Sequence, residues 1–453
     1  MSDPITPPVP GGMANSFDPA DPSARAALPT DTAQMIERRA RLLGPAYRLF
    51  YKTPVQVSRA EGVLLYDRQG RDYLDCYNNV VSVGHANPVV NAAIKTQMDR
   101  LCTHTRYLQD EILEFADGLL GSFGADLDHV MFTCSGSEAN DLALRIAMHQ
   151  TGQKGIIITA DAYHGNSHLT AGISPSLGPG AALGDWVRLV PAPDSYRGDA
   201  AGMGERMAAA VAAQIHDLKR HGQGLAAFVA DQMFSSDGVF SHPAGVLAPV
   251  ARVVQAAGGV MIADEVQSGF GRSGDALWGY QRHGYAPDIV TMGKPMGNGY
   301  PVAALAARAE VIARFGADLR YFNTFGGNTV AIAAARATLG VIRDQGLVAH
   351  AQVTGAALRD GLSALMARHA AIGDVRGAGL YVGVELVSDP ATKAPDAHMA
   401  AAVVNHLREN RILISATGPG ANVLKIRPPL IFGLAHVARL IDGLDRALTA
   451  VGR

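Results

Sequence analysis

Lys294 follows the apolar run Ile289–Met292 and is ringed by Gly293, Gly297 and Gly299, so it reads as an amine fixed at a strand end. A solvated surface position is the ordinary fate of a lysine, but the apolar run before it and the glycine-rich turn after it argue for chemistry. Upstream, the run 259–263 ends in Asp264-Glu265-Val266-Gln267, and the run 130–132 ends in Thr133-Cys134-Ser135-Gly136-Ser137-Glu138-Ala139-Asn140. Three strand ends thus offer an amine, a carboxylate and a Ser-Gly-Ser turn. Pyridoxal phosphate needs those parts: a lysine to join its aldehyde, an acid against its pyridine nitrogen, and amides and hydroxyls around its phosphate.

Each residue has a plainer reading beside the functional one. Ser135, Gly136 and Ser137 open a helix, where free N–H groups and the helix dipole favour a phosphate; a serine there also serves simply as an N-cap. Tyr163-His164-Gly165 follows another apolar run, so the Tyr163 ring can lie on one face of the pyridine while Val266 supports the other. Such a pair in a loop equally serves packing. His164 and His168 have the i,i+4 spacing of some zinc sites, yet no glutamate accompanies them and Gly165 interrupts the segment, so no metal is expected. Asp264 either caps a helix or keeps a pyridine nitrogen protonated, and a charged hydrogen bond of that kind contributes roughly 1.5–3 kcal/mol. Gln267, beyond Val266, is placed to reach the ring hydroxyl. Lys294 would serve twice, as the covalent anchor and then as a free base, with proton transfer contributing about 10²- to 10⁴-fold.

The elements that must hold these groups follow from the pattern. Between about 87 and 335, short apolar runs (155–159, 226–230, 260–263, 289–292 and 302–306) alternate with longer helical patterns such as 137–150 and 202–221. That alternation predicts an α/β domain with a parallel sheet covered by helices. Residues 336–453 read as a smaller α+β domain, with strands expected at 379–386 and 423–426 and a helix near 400–409. Residues 32–86 carry a helix and a hairpin and form an N-terminal segment expected to pack with the small domain. Residues 1–31, rich in proline, are expected to form a disordered tail without the basic start and apolar core of a signal peptide.

The bulk numbers exclude more than they assign. At 453 residues, 48% hydrophobic and 18% charged, the chain can bury a large core. With 39 Lys+Arg against 41 Asp+Glu there is no footprint for nucleic acid or for a membrane surface, so an anionic ligand must be held by local charges. The three cysteines, Cys76, Cys102 and Cys134, suit a reducing compartment and make cytoplasm the expected location. No uncharged stretch reaches membrane-spanning length, since 245–263 contains Arg252.

Taken in order, these residues resemble the class III aminotransferase family of fold-type I pyridoxal-phosphate enzymes, over about 45–445. The motifs are Ser135-Gly136-Ser137-Glu138-Ala139-Asn140, Tyr163-His164-Gly165, Ala263-Asp264-Glu265-Val266-Gln267-Ser268-Gly269-Phe270-Gly271-Arg272, Gly293-Lys294, Thr324-Phe325-Gly326-Gly327-Asn328 and Val375-Arg376-Gly377-Ala378-Gly379-Leu380. The resemblance implies a mostly parallel seven-stranded sheet, pyridoxal phosphate as cofactor, and a homodimer in which Thr324 comes from the neighbouring subunit, with the pairing of dimers into a tetramer left open.

Within the family the chain is similar to the branch of ethanolamine-phosphate and phosphohydroxylysine phospho-lyases, near Tyr73-Leu74-Asp75-Cys76-Tyr77-Asn78-Asn79 and Asn422-Val423-Leu424-Lys425-Ile426-Arg427-Pro428-Pro429. That branch implies β-elimination from a small amino compound bearing phosphate or phosphonate, with Arg272, Lys425 and the amide of Cys76 as candidates around the leaving group. Arg272 equally reads as a structural partner of a carboxylate. The alternative is a transaminase moving an amino group between a small amine or ω-amino acid and an oxo acid such as pyruvate or glyoxylate. Two departures bear on the choice: Asp231-Gln232-Met233 stands where many aminotransferases carry glutamate, and Lys425 stands where many carry arginine.

Overall fold

The computed structural model describes residues 17–18, 21–26, 28–124 and 127–452. Of the expected tail 1–31, residues 1–16, 19–20 and 27 lie outside the described residues. The remainder is more ordered than its composition suggests: Phe17 is buried and donates its N–H to Leu49 O at 2.7 Å, and Pro22–Ala26 form a short helix. One aromatic anchor and a backbone bond offset the ordering cost that a proline-rich composition alone cannot.

Along the chain the strands are β1 (Val57–Glu61), β2 (Leu64–Asp67), β3 (Asp72–Asp75), β4 (His129–Thr133), β5 (Gly155–Thr159), β6 (Val187–Val190), β7 (Leu225–Asp231) and β8 (Val260–Asp264). They continue with β9 (Ile289–Met292), β10 (Ala303–Ala307), β11 (Ile372–Ala378), β12 (Tyr381–Asp389), β13 (Ala394–Pro395), β14 (Ile412–Leu413), β15 (Ser415–Thr417) and β16 (Val423–Ile426). A seven-stranded sheet runs in the order β4-β10-β9-β8-β7-β5-β6. Its strands β5, β8, β9 and β10 are buried at every residue, which is why they read as continuous apolar runs rather than alternating ones.

All neighbours in this sheet are parallel except β10, which runs antiparallel to both β9 and β4. The expectation of a parallel strand at 302–306 therefore fails in direction. The connection from Met292 to Ala303 holds only a short 3-10 turn, Lys294–Gly297, and is too short for a crossover helix, so the chain returns the way it came. Helices cover the sheet, and each is started by a local device. Ser135 caps Gly136–Thr151, accepting from Glu138 N at 3.3 Å, and Asn328 caps Thr329–Asp344, accepting from Ala331 N at 3.0 Å.

The C-terminal part packs the sheet β11-β12-β16-β15 against the helices Leu347–Met366 and Ala397–Glu409, and the helix Leu434–Val451 packs on those two helices. The strand expected at 379–386 begins at Tyr381, and β11 before it, which the sequence pattern does not show, pairs with it through the two-residue turn Gly379-Leu380. Gly379 has φ +51°, and a Cβ there would lie 2.4 Å from Arg272 O. The N-terminal strands β1–β3 join this end of the chain because β14 pairs parallel with β3, setting Ile412 against Leu74.

Candidate active site

Strands β4, β5, β7, β8 and β9 point their carboxyl ends to one side of the large sheet, the usual place for a ligand in an open α/β sheet. There a cavity of about 170 Å³ is lined by Gly136, Ser137, Asn140, Tyr163, His164, Gly165, Asp264, Val266, Gln267 and Lys294. Of the residues expected around the cofactor, the structure brings all of these except Ser135 and Thr324 to the cavity wall.

The amine sits at a strained point. Lys294 has φ +27°, a region that costs a residue with a side chain of order 1–3 kcal/mol, and only Gly293 separates it from the core strand β9. Burial lowers its amine to about 8, and Arg427 adds to the effect while Asp264 and Asp231 oppose it. Asp264 closes β8 and is held by three donors. Its Oδ1 accepts from Val266 N at 3.0 Å, and its Oδ2 accepts from Asn140 Nδ2 at 2.9 Å and lies 2.7 Å from His164 Nδ1. Asn140 is itself fixed: its Nδ2 also donates to His164 O at 2.8 Å and its Oδ1 accepts from Thr291 Oγ1 at 2.6 Å. Asn140 is thus the residue that aims Asp264, a role the motif around it does not announce.

At the other end of the cavity the two serine hydroxyls are already engaged. Ser135 Oγ caps the helix, and Ser137 Oγ bonds Asn166 Oδ1 at 3.0 Å and Asn166 N at 3.1 Å. What remains for an anion are the N–H groups of Gly136 and Ser137, which have no acceptor within the helix they open. Three glycines let the loops meet here. A Cβ at Gly136 would lie 2.9 Å from Val266, one at Gly165 2.6 Å from Ser137 Oγ, and one at Gly293 3.2 Å from Gly136 N. A backbone cradle at one end, an aimed carboxylate at the other and a buried amine between them fit pyridoxal phosphate.

Gln267 Oε1 accepts from Asn79 Nδ2 at 2.7 Å and from Arg427 Nη1 at 2.6 Å. The Arg427 guanidinium lies over the Tyr77 ring, 4.6 Å from its centroid, and its Nε is buried without a partner. Lys425, in β16 two positions before Arg427, is 6% exposed. Burial holds its amine well below the ordinary range, helped by Arg427 and Lys294, while Asp231 opposes.

The other two substrate candidates fall differently. Arg272 is buried and bonds the backbone carbonyls Leu380 O (at 3.2 Å) and Pro428 O through Nη1, so its partners are carbonyls and not the carboxylate the sequence suggested. Burial pushes its guanidinium down to about 9, with Arg427 contributing. The Cys76 amide, expected to face the leaving group, donates to Leu413 O at 3.0 Å, because Cys76 extends the pairing of β3 with β14; that expectation is corrected. Asp231 accepts from Met233 N and Ser235 N, both at 2.9 Å, so its carboxylate turns into its own loop. Thr324 is exposed and lies outside this chain's own cavity. Among the described residues no group of three or more His, Cys, Asp or Glu is placed to hold a metal, and no helix is long and apolar enough to cross a membrane.

Residues 49–448 match the family model described as aminotransferase class-III. Similar curated proteins include "Ethanolamine-phosphate phospho-lyase homolog 1" of Caenorhabditis elegans, 38% identical over 96% of this chain and 98% of the relative. Another is "Alanine--glyoxylate aminotransferase 2-like" of Drosophila melanogaster, 40% identical over 92% of this chain and 87% of the relative. Among solved structures, a phospholyase from Arthrobacter in complex with phosphoethanolamine is 41% identical with a TM-score of 0.89, covering 92% of this chain and 99% of that one. An omega transaminase from Pseudomonas jessenii in complex with PMP is 26% identical with a TM-score of 0.82, covering 93% and 95%.

Proposed function

The chain belongs to the class III aminotransferase family, whose members work with pyridoxal phosphate, and from that premise we propose a lyase that carries out β-elimination on a small amino compound bearing phosphate or phosphonate. It releases ammonia and an aldehyde-type product, and inorganic phosphate when the substrate is a phosphate ester. The observation that carries this reading is the cluster of buried cations Lys425, Arg427 and Arg272. Among the described residues none of the three has a carboxylate within ion-pair distance. Buried charge is costly unless it is paired, and a doubly charged phosphate supplies the pairing that the protein leaves out. The relatives named as phospho-lyase and bound to phosphoethanolamine support the same choice.

When bound, the cofactor provides an electron sink for the pair left at the substrate carbon. The protein's own residues do the rest. Asp264, aimed by Asn140 and His164, would meet the pyridine nitrogen. Tyr163 and Val266 would hold the ring between them, and the amides of Gly136 and Ser137 would receive the cofactor phosphate, with Thr324 of a second copy completing the cradle. Lys294 Nζ, with its amine near 8, takes the proton from the substrate carbon close to neutral pH. Lys425 faces the leaving group and balances its charge. A homodimer belongs to this reading: Thr324 is flanked by Phe322 and Phe325, both exposed, with Tyr107 and Leu108 exposed alongside. So does a reducing, cytoplasmic setting, in keeping with three free cysteines.

The test is incubation of the purified holoenzyme with phosphoethanolamine and with hydroxylated aminoethylphosphonate, in the absence of any oxo acid. Phosphate, ammonia or aldehyde from either is expected, and none from both overturns the lyase. The relative named as an aminotransferase favours the second reading. That reading requires turnover dependent on pyruvate or glyoxylate.

A further inference from the structure

Gln267 and Arg427 stand 160 positions apart, and their bond carries information that neither residue carries alone. A guanidinium only donates, so the Gln267 atom 2.6 Å from Arg427 Nη1 must be the oxygen. The same oxygen receives Asn79 Nδ2 at 2.7 Å. With Oε1 occupied twice, the Gln267 Nε2 is the end left for the cavity that this residue lines. Arg427 is itself fixed at both ends, because its N–H donates to Cys76 O at 2.8 Å and its guanidinium rests on the Tyr77 ring.

We propose that Arg427 is a positioning residue: by holding Gln267 Oε1 it turns the Gln267 NH₂ toward the cofactor's ring oxygen, and its fixed charge lies beside Lys294, so that together they favour the proton-free form of the Lys294 nitrogen. The physical reason is local. When the Lys294 nitrogen joined to the cofactor loses its proton, the ring oxygen loses its internal partner, and a donor and a positive charge next to it stabilise that state. The charged groups that act on Lys294 are Arg427, just beyond β16, which favours loss of its proton, and Asp264 on β8 and Asp231 on β7, which oppose it; Lys425 of β16 has its own amine lowered by Lys294. Arg427 is the one among them bonded to the Gln267 amide. The proposal rests on the cofactor lying in this cavity, not on whether elimination or transamination follows.

The experiment is a pH titration of the cofactor's visible absorbance in the holoenzyme, without substrate, for the wild type, R427K and R427Q. The midpoint in R427Q is expected to rise by about one unit or more, a tenfold or greater gain in proton affinity. R427K, which keeps a donor and a charge, is expected to stay nearer the wild type than R427Q does. An R427Q midpoint equal to the wild type, with cofactor retained, overturns the proposal. Should R427Q shed the cofactor, Gln267→Glu carries the test: it keeps a partner for Arg427 and takes away the N–H pair facing the cavity, so its midpoint must also rise, and an unmoved one overturns the proposal equally. Phosphate release from phosphoethanolamine is read separately, so failure of the lyase reading leaves this titration interpretable.

Discussion

Lys294 and Lys425 are two buried amines; burial is the larger cause of the lowered proton affinity of both, and Lys294 adds to the lowering at Lys425. Lys294→Ala is expected to lose the visible absorbance of the anchored cofactor and to cost at least about 10²- to 10⁴-fold in turnover. Lys425→Met is expected to keep that absorbance while kcat/KM on phosphoethanolamine falls at least roughly 30-fold, from about 2 kcal/mol of lost charge pairing. The same variant replaces a buried amine that has no ion-pair partner by an apolar side chain, so the ligand-free fold should melt at a higher temperature than the wild type. Equal melting temperatures, or an unchanged kcat/KM, count against Lys425 as the anion's partner. Of this site, Lys294, Asp264 and Gln267 are legible because each closes or follows an apolar run. Arg427 is not, since its contact with Gln267 spans 160 positions, and neither is the commitment of the Cys76 amide, which depends on β14 arriving beside β3.

Loops bring these residues together, and their glycines set how closely. Gly165 has φ +141°, and a Cβ there would meet Ser137 Oγ and Thr170 Oγ1, both at 2.6 Å. Gly165→Ala must therefore push the Tyr163 loop away from the phosphate cradle, at a cost of about 1–3 kcal/mol. Equilibrium dialysis should show the cofactor bound at least roughly five-fold more weakly, with helix content unchanged; equal affinity sinks the argument. At this scale the sequence is readable where burial is two-sided: β5, β8 and β9 are uninterrupted apolar runs at nearly the expected bounds. It fails at β11, where Gly373, Asp374, Arg376 and Gly377 break the pattern and the first half of the strand is only partly buried. It also fails for the direction of β10, because direction is decided by the length of the connection, to which hydrophobic periodicity is blind.

Across the whole molecule, burial of charge makes pH a readout of the site. Lys294 holds its proton less tightly folded than unfolded, with about 8 against an ordinary 10.5. Between those values the unfolded chain binds more protons, so folding without cofactor gains stability as pH rises from about 8 toward 10.5. Comparing denaturation of the cofactor-free wild type and Lys294→Met across that range isolates the effect; parallel curves would contradict it. A dimer that shares Thr324 makes a second prediction. Mixing Lys294→Ala with Thr324→Ala subunits should restore activity above that of either parent, because each mixed dimer has one intact site, whereas a self-sufficient subunit gives no such recovery. The three cations gathered around β16 have a consequence for the reaction's end as well as its beginning. A pocket that welcomes a phosphoryl group on the substrate does not distinguish it from the free ion afterwards, so inorganic phosphate should compete with substrate and slow release, and the enzyme's throughput would answer to the phosphate level of its surroundings.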